Sequence, residues 1–241
     1  MEEQEVLSFF NEDGTMKNKD EVLKQISEIY DNVKAEEKLN EGNFFCHITD
    51  PECAISVENV LETFDFTDRI IYLADEIGEQ TSAQFMETIR FFNRVDEIDG
   101  IAPEERQPIK IIIDTPGGDL YSTLSIIDAI KLSKTPIWTI TTGRGYSGGF
   151  FIGICGHKRF GFPNSTYLFH QGACSWSSDA HKFQQQAKFY ERTLDTLRDI
   201  TLKNTSIKEA DYEKYKNGDW WLTAEDALAV GVIDEIAKDL I

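Results

Sequence analysis

The chain has 241 residues, of which 41% are hydrophobic, and its 43 acidic side chains outnumber 24 basic ones to give a net charge of −19. That length and apolar content suffice for one sizeable core. The negative balance argues against nucleic acid or an anionic membrane as a partner, and no apolar run approaches the ~20 residues that cross a bilayer.

The charge is uneven. Residues 1–68 hold 18 acidic and 5 basic side chains, which is −13 of the −19. Within them Val22, Leu23, Ile26, Ile29, Tyr30 and Val33 recur at helical spacing, which predicts an amphipathic helix over 18–38. Residues 36–42 read as linker. The expected organisation is an acidic N-terminal extension, 1–68, ahead of one domain, 69–241. A solvated tail is the default reading of such a charge run; a propeptide and a docking or inhibitory arm are the alternatives. Met1-Glu2-Glu3-Gln4-Glu5 lacks the basic and apolar segments of a secretory signal. The four cysteines, Cys46, Cys53, Cys155 and Cys174, show no disulfide-framework spacing. A cytoplasmic location is therefore expected. Cys46, His47 and Cys53 fit no common zinc spacing, so no metal is expected.

A helix is predicted over 81–95 with Phe85, Met86, Ile89 and Phe92 inward, then a polar, proline-bearing loop over 98–108. Ile109-Lys110-Ile111-Ile112-Ile113 reads as a buried strand that ends in Asp114-Thr115-Pro116-Gly117-Gly118-Asp119. A helical pattern follows through Leu120, Leu124, Ile127 and Ile130. Strand, glycine turn and helix can present a backbone N–H to a developing oxyanion. The same arrangement can cradle a phosphate. The lysine-bearing P-loop pattern and the full dinucleotide fingerprint are both absent, however, so no nucleotide cofactor is expected.

A second unit repeats the plan. The apolar run 136–140 precedes Tyr146-Ser147-Gly148-Gly149, and Phe150 to Ile154 follow. A serine set among glycines, where a strand hands over to a helix, is how a fold exposes a hydroxyl nucleophile. Small residues that merely let a helix pack on a strand are the plain alternative. A serine nucleophile needs a base, which a third group orients. Of the four histidines, His170 ends the strand-like run 166–169 and enters a loop, so it is the candidate base; a satisfied strand-end histidine is the alternative. Asp219, in Asn217-Gly218-Asp219-Trp220-Trp221, is the candidate third member, partly desolvated by the tryptophans. Asn-Gly-Asp is also good turn chemistry. A long helix is predicted over 178–203, with Phe183, Ala187, Tyr190, Leu194, Leu197 and Thr201 on one side. Thr223 caps a short helix through Val230. Repeated strand-turn-helix units make the fold class α/β.

From about Arg69 to Ile236 the chain resembles the proteolytic subunit of the Clp protease. Arg69-Ile70-Ile71-Tyr72-Leu73 is similar to that family's opening core strand, and Thr115-Pro116-Gly117-Gly118 to its oxyanion turn. Ser147 falls at its nucleophile and His170-Gln171 at its His-Gln pair. Lys158-Arg159-Phe160 with Pro163-Asn164-Ser165 matches the segment between them. Asp219, an aromatic and then Leu222-Thr223-Ala224-Glu225 resemble the segment of its triad aspartate, and Gly231-Val232-Ile233-Asp234 its closing segment. The resemblance implies a ClpP/crotonase-type spiral of ββα units with a protruding handle helix at 178–203. It implies a serine endopeptidase with Ser147, His170 and Asp219 as triad, the N–H groups of Gly118 and Gly148 as oxyanion hole, and no cofactor. The partners it implies are polypeptide substrates, further copies of the chain in stacked seven-membered rings, and an AAA+ ATP-dependent unfoldase.

Some residues depart from the family pattern. Gly145-Tyr146 stand where alanines are usual before the nucleophile, Gly148 replaces a methionine, and Gly172 replaces the proline after His-Gln. Ser-Gly-Gly also resembles signal-peptide peptidases, which use a serine–lysine pair. A catalytically weak or inactive ring subunit, an acyl-CoA enzyme of the crotonase type and a scaffold are further alternatives.

Overall fold

Alternation governs the central strand. In a computed structural model of the protein, Ile109, Ile111, Ile113 and Thr115 are fully buried, while Lys110, Ile112 and Asp114 are partly exposed. That period of two is what an extended chain with one face on a core requires. The structure describes residue 24, residues 68–172, residue 177 and residues 179–240. Apart from residue 24, the expected helix at 18–38 lies outside the described residues, as do the linker and the Cys46/His47/Cys53 group.

Strands β1 (Ile70–Leu73), β2 (Ile109–Thr115) and β3 (Ile137–Tyr146) lie side by side, followed by β4 (Lys158–Gly161) and β7 (Glu235–Ile236). Strand β3 changes partner along its length. Trp138–Thr141 pair in parallel with β4, and Arg144–Tyr146 pair in parallel with β5 (Thr166–Phe169). The switch follows from a turn in which the Phe162 N–H donates to the Thr141 carbonyl at 2.8 Å and the Ser165 N–H to the Phe162 carbonyl at 2.9 Å. β5 then pairs antiparallel with β6 (Trp220–Thr223). The sequence pattern stops at Ile140, because glycines and threonines hide the strand character of 141–146. Pairing with β2 on one side and β5 on the other extends β3 to Tyr146.

Helix α1 (Glu79–Ile98) buries Phe85, Ile89, Phe92 and Asp96, a stripe at spacings of four, three and four. Met86 lies off that stripe and is 40% exposed, contrary to expectation. Asp96 takes the last place in the stripe and accepts a 2.6 Å hydrogen bond from the Thr135 hydroxyl. Helix α2 (Leu120–Leu132) is capped by Asp119, whose carboxylate accepts from the Ser122 N–H at 2.7 Å. Its inward face is Ile126, Ile127, Ala129 and Ile130; Leu120 and Leu124 are only partly covered.

Helix α3 (Gly148–Gly153) follows β3 directly. Helix α4 (Ala180–Asn204) starts at Asp179, whose side chain accepts from the Lys182 N–H. Its buried residues, Thr193, Leu197, Ile200 and Thr201, all belong to its second half. Phe183 and Phe189 stand in the first half, 46% and 58% exposed. Helix α5 (Glu209–Tyr215) leads into β6, and α6 (Ala224–Ala229) opens with a reciprocal cap between Thr223 and Asp226. The α/β architecture of repeated strand-turn-helix units is the one expected. Among the described residues no helix is long and apolar enough to cross a membrane.

Candidate active site

Two glycine turns meet at Ser147. β3 ends at Tyr146, and Ser147 turns the chain into α3 with φ +52° and ψ −115°. A residue with a Cβ occupies such a region at a cost of about 1–3 kcal/mol, and does so only where its surroundings over-determine it. Here they do: the Ser147 N–H donates to the Leu168 carbonyl at 2.9 Å, and its carbonyl accepts from the Phe151 N–H at 3.3 Å.

The Thr115–Asp119 turn presses on it. Gly117 has φ +98°, and a Cβ there would stand 2.7 Å from the Ser147 Cβ and 2.9 Å from the Gly148 nitrogen. Only glycine permits that approach. The turn is threaded against Ile77, whose N–H donates to the Gly117 carbonyl and whose carbonyl accepts from the Asp119 N–H, both at 2.8 Å. The Thr115 hydroxyl donates to the Asp75 carbonyl at 2.6 Å and accepts from the Gly117 N–H at 3.1 Å. Among the described residues, the N–H groups of Gly118 and Gly148 are given to no carbonyl.

A β3 distortion brings the two turns together. Ile113 is level with Thr141, but Thr115 is level with Gly145, so β3 carries two extra residues over that step. The Asp114 carboxylate pins the distortion, accepting from the Arg144 backbone N–H at 2.9 Å and from its Nε at 2.8 Å. Those bonds from Arg144 hold the Asp114 carboxyl below the usual carboxylate range.

His170 and Asp219 are brought together by register. The last level pair of the β5–β6 ladder is Phe169 with Trp220. His170 follows the first and Asp219 precedes the second, so antiparallel pairing sets them opposite each other. His170 Nδ1 lies 3.4 Å from Asp219 Oδ1, slightly beyond a normal hydrogen bond. Asp219 is 55% exposed, so the expected shielding by the tryptophans is not found. Trp220 stacks on Tyr215 instead, with ring centroids 4.3 Å apart, and Trp221 packs edge-on against Tyr146 at 5.2 Å.

Ser147, Gly148, Gly118 and His170 line one cavity of about 320 Å³, with Phe151 and Tyr190 among its apolar walls. Among the described residues no hydrogen bond joins Ser147 to His170; they face the same space. Gly172 has φ +75°, a conformation closed to the proline that the resemblance leads one to expect. Sequence reading missed the bond from Gln171 Nε2 to the Tyr212 hydroxyl (2.9 Å) and that between the Tyr146 and Thr166 hydroxyls (2.9 Å). Neither has a local signal, because the partners lie 41 and 20 residues apart.

Residues 56–239 match the profile of the Clp protease family. The ATP-dependent Clp protease proteolytic subunit of Deinococcus radiodurans is 30% identical over 171 residues, covering 70% of this chain and 80% of that protein. Proteolytic subunit 2 of Treponema denticola is 31% identical over 173 residues, covering 71% and 82%. The match spans the strained serine turn, both glycine elements and the β5–β6 ladder, and the chain belongs to the Clp protease family of serine-type peptidases.

Proposed function

We propose that Ser147, His170 and Asp219 form the catalytic triad and that the chain cleaves peptide bonds in polypeptides. The observation that carries this is the 3.4 Å approach of His170 Nδ1 to Asp219 Oδ1 at the rim of the cavity that also holds Ser147. With Nδ1–H turned to the aspartate, Nε2 is the nitrogen left to accept a proton. His170 takes the Ser147 proton as the oxygen attacks a peptide carbonyl, and Asp219 holds the tautomer and offsets the imidazolium charge. The Gly118 and Gly148 N–H groups receive the oxyanion. His170 returns the proton to the leaving amine, and water then releases the acyl group from Ser147. Catalytic hydrogen bonds of this kind tighten as substrate binds, and the 3.4 Å His170–Asp219 approach leaves a short distance to close.

An open triad would digest its surroundings, so we further propose that the chain works as a homo-oligomer, in stacked seven-membered rings, with substrate delivered by an AAA+ ATP-dependent unfoldase. Exposed Phe183 and Phe189 on α4 favour an assembly contact there. A fluorophosphonate probe tests the triad: it should label Ser147 alone, and labelling should vanish in Ser147→Ala. Label on another residue, or none on the active protein, would overturn the assignment.

A further inference from the structure

Tyr212 touches both neighbours of His170. Its hydroxyl accepts a hydrogen bond from Gln171 Nε2 at 2.9 Å, and its ring meets Phe169 edge-on with centroids 5.2 Å apart. Tyr212 is 1% exposed, so this oxygen is reached from inside the fold rather than from solvent. The helix that carries it, α5, also governs the approach to Asp219. The Lys216 N–H donates to the Tyr212 carbonyl at 2.8 Å, and the Gly218 N–H to the Tyr215 carbonyl at 3.0 Å. Tyr215 then stacks on Trp220, the residue after Asp219. One seven-residue helix thus grips the chain on both sides of His170 and closes the turn that presents its carboxylate partner.

We infer that Tyr212 is a positioning residue for the peptidase, acting through Gln171 and Phe169 to set the His170 imidazole between Asp219 and Ser147. The inference rests on the triad proposed above. The β5–β6 ladder stops at Phe169 and Trp220, so sheet hydrogen bonds do not fix His170. At 3.4 Å from Asp219, a small shift of the ring decides whether the Nδ1–H bond forms. Gln171 is the next residue along and itself lines the cavity. A glutamine with no partner would leave the loop free to carry His170 away, and the buried phenol removes that freedom.

Tyr212→Phe keeps the ring and its packing on Phe169 but removes the acceptor. A neutral hydrogen bond of ordinary net strength corresponds to about 5- to 10-fold in rate. Peptide kcat and the rate of fluorophosphonate capture at Ser147 should both fall by about that factor, with KM changed less than twofold. Gln171→Leu should give the same loss, and the double variant should lose no more than either single one, because both act through one bond. A tyrosine that only packs would leave kcat intact, and independent roles would make the losses multiply; either result overturns the inference. Should Tyr212→Phe fail to fold, Gln171→Leu with unchanged kcat overturns it equally. Failure of the triad reading is distinct, since the unmodified protein would then not be captured at Ser147 at all.

Discussion

Ser147 does two things whose costs can be measured apart. Its hydroxyl is the proposed nucleophile, and its backbone sits at φ +52°, a conformation that suits glycine better than any residue with a Cβ. Ser147→Ala, His170→Ala and Asp219→Asn should each lower peptide hydrolysis on the order of 10³- to 10⁴-fold or more without unfolding the chain. The losses should not add, because the three groups act as a unit; steady-state assays of single and double variants check this. Ser147→Gly should be as inactive as Ser147→Ala yet more stable by about 1 kcal/mol, since it relieves strain that alanine keeps. Urea midpoints of the two variants give the comparison, and equal midpoints would mean that the turn is not strained.

At the scale of elements, α4 and the β2–β3 distortion each carry a prediction. Tyr190 and Leu194 share one side of the long helix with Phe183 in the sequence, so a charge on either is the first choice for splitting an assembly built on it. In the structure Tyr190 lines the cavity beside Ser147, so a charge there would injure the site directly. Phe183 and Phe189 are the cleaner test, exposed at 46% and 58%. Phe189→Glu should reduce the native mass of the particle while the fold, followed by circular dichroism, persists. An unchanged mass would place the contact elsewhere. Asp114 carries the other prediction, because the Arg144 bonds depress its folded pKa. A depressed carboxylate stabilises the fold above its unfolded pKa of about 4, and that contribution is lost as pH falls through the lower folded value. Both side chains are nearly half exposed, so the effect should stay within about 1 kcal/mol. Asp114→Asn should therefore lower Tm at neutral pH and converge with the parent in acid, as thermal melts across pH would record.

Arg159 ties the molecule together at a larger scale. Its guanidinium donates to the Gly231 carbonyl at 2.7 Å, to the Asp234 carboxylate through Nε at 3.0 Å, and to the Asn204 carbonyl. Its backbone N–H also donates to Asp234 at 2.8 Å. One side chain, 16% exposed, thus joins β4 to the end of α4, the end of α6 and the approach to β7. Arg159→Ala would leave two carbonyls and a carboxylate short of donors, at a cost of about 2–4 kcal/mol. Arg159→Lys should recover little, because an ammonium cannot reproduce the planar fork. Chemical denaturation of both variants tests this; full rescue by lysine would reduce the site to a charge effect.

What the chain declares locally is set by neighbours in sequence. The buried strand at 109–113, the Gly117-Gly118 and Ser147-Gly148 turns, the Thr223 cap and the long helix predicted over 178–203 all depend on residues within a few positions of one another, so periodicity and turn chemistry suffice to find them. Ser147 and His170 were legible as candidates because each stands at the end of a strand-like run, and Asp219 because it sits beside two tryptophans in a segment that resembles that of the family's triad aspartate. What the tertiary structure alone decides is pairing across distance. The switch of β3 from β4 to β5, the register that sets His170 opposite Asp219, the exposure of Asp219 and the reach of Tyr212 to Gln171 all join segments far apart in the chain. Local pattern tells which face of an element seeks cover. Only the assembled core, through packing and backbone pairing, determines which partner covers it.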